Sequence, residues 1–119
     1  MLGFRYNGSR AIKDNLSSFV PLSPAALHIL LALAGEDMHG YGIMQEVTRQ
    51  SEGVYKLGPG TLYDNLQRLM DQGMVTEISS DGPRRRTYRL SPLGRKVLST
   101  EISRLEGVVR EARVHLRRV

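Results

Sequence analysis

The sequence predicts a mainly α-helical chain with one small β-hairpin (α+β): three short helices, the hairpin, then a long last helix. Three observations predict it. Proline stands just inside a helix-opening residue at Ser23-Pro24, Gly58-Pro59 and Ser91-Pro92. It suits the first helical position because its missing N–H has no partner there in any helix. The run Ser79-Ser80-Asp81-Gly82-Pro83 is a strong turn signal between two stretches of strand-like alternation. Leu98, Ile102, Leu105, Val109, Ala112, Leu116 and Val119 are spaced 4, 3, 4, 3, 4, 3, an uninterrupted heptad seam.

The elements follow in order. Residues 1–20 are polar and without clear period, an N-terminal extension with at most a short helix near Ala11 to Phe19. The first helix, capped by Ser23, is expected to bury Leu27, Leu30, Leu31 and Ala34 and to end at Gly35. The second covers Gly40 to Gln50, with Ile43, Met44 and Val47 as its apolar stripe. A short extended piece, Val54 to Leu57, leads to the third helix, where Leu62, Leu66, Leu69 and Met70 share a side and Gly73 is the stop. In the hairpin, Met74, Thr76 and Ile78 share one face of the first strand, and Arg86, Tyr88 and Leu90 one face of the second. Three helices and a hairpin make the winged helix-turn-helix plan, with the third helix placed to enter a DNA major groove and the hairpin as the wing. The domain expectation is therefore a flexible extension over 1–20, a winged-helix domain over 21–91 and a dimerisation helix over 92–119.

The bulk properties agree with a nucleic-acid partner. The chain of 119 residues carries a net charge of +5. From Arg84 onward there are ten Arg and one Lys against three Glu, a surplus of eight positive charges, while the rest is slightly acidic. Such a balance suits a polyanion. The longest apolar run, Ala25 to Ala34, is broken by His28 and is too short to cross a bilayer. The N-terminus shows no secretion signal, and with no cysteine there are no disulfides or thiolate metal sites. A cytoplasmic protein without membrane attachment, metal or cofactor is expected. The three histidines (His28, His39, His115) are scattered, Gly58-Pro59-Gly60 lacks the Gly-Lys-Ser/Thr of a phosphate loop, and no catalytic motif occurs, so an enzyme has no support.

On the third helix, steps of about 100° place Gly60, Thr61, Asp64, Gln67, Arg68 and Asp71 opposite Leu66, with Tyr63 and Asn65 at the flanks. The first turn of such a helix reaches base edges. Gly60 lets the backbone come close, Thr61 and Tyr63 offer hydroxyls, Gln67 an amide, and Asp64 an acceptor for a cytosine amino group. Arg84, Arg85 and Arg86 on the hairpin, with Arg89 beyond them, suit a phosphate backbone or a minor groove. Tyr41 and Lys56 complete the candidate DNA-contacting set. The last helix would be roughly 40 Å long at about 1.5 Å per residue, more than so small a domain can cover. Its seam (Leu98, Ile102, Leu105, Val109, Ala112 and Leu116) calls for the same helix of a second subunit. A winged-helix protein-interaction module is the alternative, and RNA binding lacks an aromatic stacking platform.

With these residues in view, the sequence resembles the PadR family of transcriptional regulators over about residues 22 to 100. The resemblance rests on LHILLALAGEDMHGYGIMQEV with its His39-Gly40-Tyr41, on GPGTLYDNLQRLMDQGMV, and on GPRRRTYRLSPLGRKVL. It implies a homodimeric repressor of the short subfamily, with one helix after the wing. It also implies release of double-stranded DNA when a small hydrophobic or aromatic compound binds. Some short members stack planar ligands on an interface tryptophan; this chain has none.

Overall fold

The computed structural model describes residues 16–80, 82 and 85–117. The elements are α1 (Pro24–Gly35), β1 (Met38–His39), α2 (Gly40–Gln50), α3 (Pro59–Asp71), β2 (Val75–Ser80), β3 (Arg86–Leu90) and α4 (Pro92–Arg117). One compact unit comprises residues 22–95, and the other the described parts of 1–21 and 96–119. The expected short helix near Ala11 to Phe19 lies mostly outside the described residues, which begin in helical conformation at Leu16 and Ser17.

Each helix of the first unit starts and stops for a local reason. The Ser23 side chain accepts a hydrogen bond from the Ala26 N–H at 3.1 Å, and Pro24 follows as the first helical residue. At the other end of α3, the Met74 N–H reaches the Leu69 carbonyl at 2.9 Å and the Gly73 N–H the Met70 carbonyl at 3.0 Å. This pair of bonds is a Schellman stop, and it requires the left-handed φ of +81° that Gly73 adopts. Gly73 is the expected stop.

The core is built from Ile29 and Leu30 of α1, Ile43 and Val47 of α2, Leu62 and Leu66 of α3, Val75 of β2 and Tyr88 of β3, all essentially inaccessible. The expected face of α1 is corrected. Ala25, Ala26, Ile29, Leu30, Ala32 and Leu33 are buried, Leu27 and Ala34 only partly so, and Leu31 is exposed. Because α1 packs on α2, α3 and β3 at once, it buries more than one stripe, and a nearly uniform apolar run does not reveal which residue is left out.

The hairpin gains a third strand that the sequence pattern did not show. β1 pairs antiparallel with β3 (Met38 opposite Tyr88, His39 opposite Thr87), so the sheet order is β1-β3-β2 and β3 is central. In β2 the expected alternation of Met74, Thr76 and Ile78 on one face is broken. Val75 stands opposite Leu90 and Glu77 opposite Tyr88, then the register shifts so that Ser79 faces Thr87. Ile78 is the extra residue of this bulge and is exposed, whereas Met74 is buried just before the strand begins. Residues 54–58 have no regular secondary structure; Val54 is exposed and Leu57 buried. The segment is tied back through Tyr55, whose ring stacks on His28 of α1 at 5.0 Å, while the Gln50 amide donates to the His28 carbonyl at 2.9 Å.

The wing is joined to α4 through Ser91. Its hydroxyl donates to the Gly73 carbonyl at 2.6 Å and accepts from the Gly94 N–H at 3.0 Å, and its own N–H donates to the Met74 carbonyl. The first turn of α4 is thereby pressed onto the backbone that opens β2. A Cβ on Gly94 would collide with the Met74 carbonyl oxygen and come within 2.7 Å of the Leu90 side chain. In the second unit, Val97, Leu98 and Glu101 of α4 are buried, and Arg104 holds the Glu101 carboxylate in a two-pronged pair at 2.6 and 3.1 Å.

The close approach at Gly94 makes a prediction. Gly94→Ala should destabilise the fold by about 1–3 kcal/mol, as overpacking against fixed backbone does. Gly35→Ala, where the added methyl meets nothing within 4 Å, should leave stability unchanged or raise it. Urea unfolding of the two variants checks the contrast, and equal effects would sink it.

Candidate nucleic-acid interface

The helix-turn-helix consists of α2 and α3, and neither has a side-chain cap. His39 and Gly58 occupy the cap positions without a capping hydrogen bond. The N–H groups of Gly60 and Thr61 lie in the first turn of α3, ahead of the first intrahelical bond, Leu62 N–H to the Gly58 carbonyl at 2.9 Å. They therefore face outward with the positive end of the helix dipole behind them.

Gly60, Thr61, Tyr63, Asp64, Gln67 and Arg68 are all exposed, on the side of α3 away from Leu62, Leu66 and Leu69. Asn65 is different: it is buried, and its amide donates to the Thr61 carbonyl at 2.8 Å. The Gln67 amide donates to Asp71 at 3.0 Å. The two glycines at the start of α3 are not required by packing, since a methyl on Gly58 or Gly60 meets no atom within 4 Å.

Tyr63 has a packing role besides its exposure. It is about half exposed, and the hydroxyl end of its ring lies against Gly40, the first residue of α2. A Cβ at Gly40 would collide with the Tyr63 hydroxyl and stand 3.0 Å from the ring carbon that bears it. The same start of α2 is bound to the wing. Thr87 Oγ1 lies 3.0 Å from His39 Nδ1, and the Arg86 carbonyl 3.4 Å. In the sequence His39 stands among scattered histidines and Gly40 at a helix start, both within the family signature, and a two-residue strand has no periodicity to betray it.

On the wing, Arg85 and Arg86 are exposed, and Arg84 lies outside the described residues. Arg89 does not join them. Its guanidinium grips Asp37 in two bonds at 3.1 and 2.8 Å, and this hydrogen bonding, with Coulomb attraction, holds the Asp37 carboxyl below its ordinary value. Burial pushes the Tyr88 phenol up; neighbouring Tyr63 and Glu77 act in the same direction and Arg86 opposes them. Tyr41 and Lys56 are exposed, and neither makes a hydrogen bond or ion pair to the other candidates among the described residues. Among the described residues no cluster of His, Asp or Glu is placed to hold a metal ion, and no helix is long and apolar enough to cross a membrane.

The family description "transcriptional regulator PadR-like" matches residues 29–100. The chain belongs to the PadR-like family of transcriptional regulators. A Mycobacterium tuberculosis protein named as a transcriptional regulator is 39% identical over 87 residues, 71% of this chain and 78% of that protein. PadR folds recur among solved structures. A PadR family regulator from Clostridium difficile superposes with a TM-score of 0.66 at 21% identity, covering 79% of this chain and 99% of that one. Bacillus subtilis PadR, solved in complex with operator DNA, superposes with a TM-score of 0.56 at 22% identity, over 66% of this chain and 46% of its own. The family is one of regulators, not of enzymes.

The Gly40–Tyr63 contact is testable within this PadR-like fold. Gly40→Ala should destabilise by about 0.5–1.5 kcal/mol, the cost of forcing the half-exposed Tyr63 ring off its rotamer. In a Tyr63→Ala background most of that loss should vanish, because the ring it strikes is gone. A double-mutant cycle by urea unfolding measures this; strictly additive effects would show that the two residues do not constrain each other.

Proposed function

We propose that the chain is a sequence-specific DNA-binding repressor that acts as a homodimer, with α3 in the major groove and the wing arginines on phosphate. The observation that carries this reading is Gly60. Glycine near the start of a helix sacrifices stability relative to alanine, and nothing in the protein needs the space at this position. A duplex lying against the first turn of α3 would need it. The exposed hydroxyl of Thr61, the unpaired first-turn N–H groups and the exposed Arg85 and Arg86 support the same face. Of the sequence candidates, Tyr41, Lys56, Asp64, Gln67 and Arg68 are kept in the proposed contact set, and Tyr63 is given a second duty in holding α3 to α2.

The homodimer is supported by α4. Ile102, Val109 and Leu116 of the heptad seam are exposed in the single chain, as is Val108 beside it, while Leu105 is half-buried. Ile102, Leu105 and Val109 line a groove of about 360 Å³ flanked by Glu106 and Arg110, a receptacle of the kind that knobs of a facing helix fill. Leu98, at the head of the seam, is already buried within the chain, so the surface open to a partner begins at Ile102. A two-fold dimer implies an operator with matching half-sites. Release by a small hydrophobic or aromatic compound comes with the family resemblance.

Three measurements test the reading. Gly60→Ala should keep or raise the melting temperature and yet weaken DNA binding; unaltered binding would remove the main support. Arg84→Ala with Arg85→Ala should weaken binding to all duplexes alike and flatten the slope of log affinity against log salt by about one per lost phosphate contact. Leu105→Glu or Val109→Glu should leave an unpaired charge in the seam and give a monomer by light scattering. An unchanged dimer would place the interface elsewhere.

A further inference from the structure

Asp71 stands where local physics disfavours it. It is the last residue of α3, where the negative end of the helix dipole repels a carboxylate. No cation pairs with it among the described residues. It also lies on the outer face with Asp64 and Gln67, where a phosphate backbone would repel it again. Among the described residues its one side-chain hydrogen bond is with Gln67, whose Nε2 donates to Asp71 Oδ1 at 3.0 Å one helical turn away.

The chemistry of that bond is asymmetric. A carboxylate only accepts, so it binds the nitrogen end of the amide and excludes the oxygen end. Gln67 is thereby held in one orientation, with one N–H committed to Asp71 and the second N–H and the carbonyl oxygen still available. One donor beside one acceptor is the pattern that matches adenine in the major groove, where N7 accepts and the N6 amino group donates. An unanchored glutamine presents either end and gives up side-chain freedom when it binds.

We propose that Asp71 is a positioning residue that orients the Gln67 amide to select an adenine in the operator. This rests on the placement of α3 in the major groove. Asp71 touches no base; it acts through Gln67, and its charge lowers affinity for every duplex while its hydrogen bond sharpens the choice of one.

The test uses the full chain and duplexes enriched by it from a random pool, each position then permuted singly. Gln67→Ala should lower discrimination at one A·T position by roughly five- to hundredfold, the range of a bidentate base contact. Asp71→Ala should lower discrimination at that same position by roughly two- to tenfold while tightening binding to random duplex, since a repelling charge is gone. Asp71→Asn donates as well as accepts, so it no longer excludes the amide oxygen and should lose part of the discrimination, with random binding tightened in the same way. Melting temperatures of all three should match or exceed the parent's, since the charge removed from Asp71 is one the helix dipole repels. A helix-supporting role alone would lower melting temperature and leave base preference unmoved. The proposal is overturned if Gln67→Ala changes no position, or if Asp71→Ala leaves the Gln67-dependent position as it was. If the parent chain enriches no duplex at all, it is the DNA-binding reading itself that fails.

Discussion

The seating of the hydroxyl end of Tyr63 against Gly40 is the constraint on which the rest of the proposed DNA-facing surface depends. Gly40 is the first residue of α2, and the residue before it, His39, is paired to Thr87 of the central strand. The start of α2 is therefore gripped twice, from the sheet and from α3. Neither grip is a matter of general hydrophobic burial. One is a backbone pairing with a fixed register, and the other is a close contact that a Cβ at position 40 would crowd. Together they tie the reading helix to the wing through two residues, His39 and Gly40. Both grips act on the same two residues, so the place of α3 and of the wing relative to α2 is set at one point of the chain.

Glycines in this fold separate into those the protein needs and those it does not. Gly40 and Gly94 are pressed against neighbouring atoms, and Gly73 adopts a left-handed backbone. Gly58 and Gly60 do neither, and both lie at the N-terminus of α3. Gly58 is accounted for as the N-cap of α3, a position glycine favours, and Gly60, inside the helix, is the one we propose to explain by a partner outside the chain. The same reasoning applies to Asp71, a carboxylate at the wrong end of a helix dipole whose partner is another residue of the reading face.

Much of this was legible in the sequence, for identifiable reasons. Proline and cap residues placed α1, α3 and α4, since their effect on a helix start is local and does not depend on tertiary context. Gly73 marked its stop for the same reason. The losses came where context decides. β1 is two residues long and exists because β3 offers it an edge. Val75, not Thr76, is buried because it stands opposite Leu90 of β3, and the bulge at Ile78 breaks the alternation beyond it. Arg89 looked like a member of the basic cluster until Asp37, distant in sequence, was found across from it. Among the candidate contacts, exposure on α3 followed from helical periodicity, but the attachment of Tyr63 to Gly40 and of Gln67 to Asp71 needed side-chain positions that no spacing rule supplies.

The distribution of charge gives the proposed interface a division of labour. The wing and the residues after it are strongly basic, and Arg85 and Arg86 have no carboxylate partner among the described residues. Their attraction to phosphate is indifferent to sequence and grows with each contact. The outer face of α3 carries Asp64 and Asp71 against Arg68, so it is repelled by phosphate wherever it finds no matching base. A basic reading helix would add affinity for every duplex, and the gain would be shared by the vast excess of wrong sites. Carboxylates on that helix subtract from all sites, and a site that satisfies their hydrogen bonds, directly or through Gln67, recovers the loss. On this reading the acidic residues serve selectivity by making the wrong sites worse, while the arginines of the wing supply the affinity that makes such a subtraction tolerable.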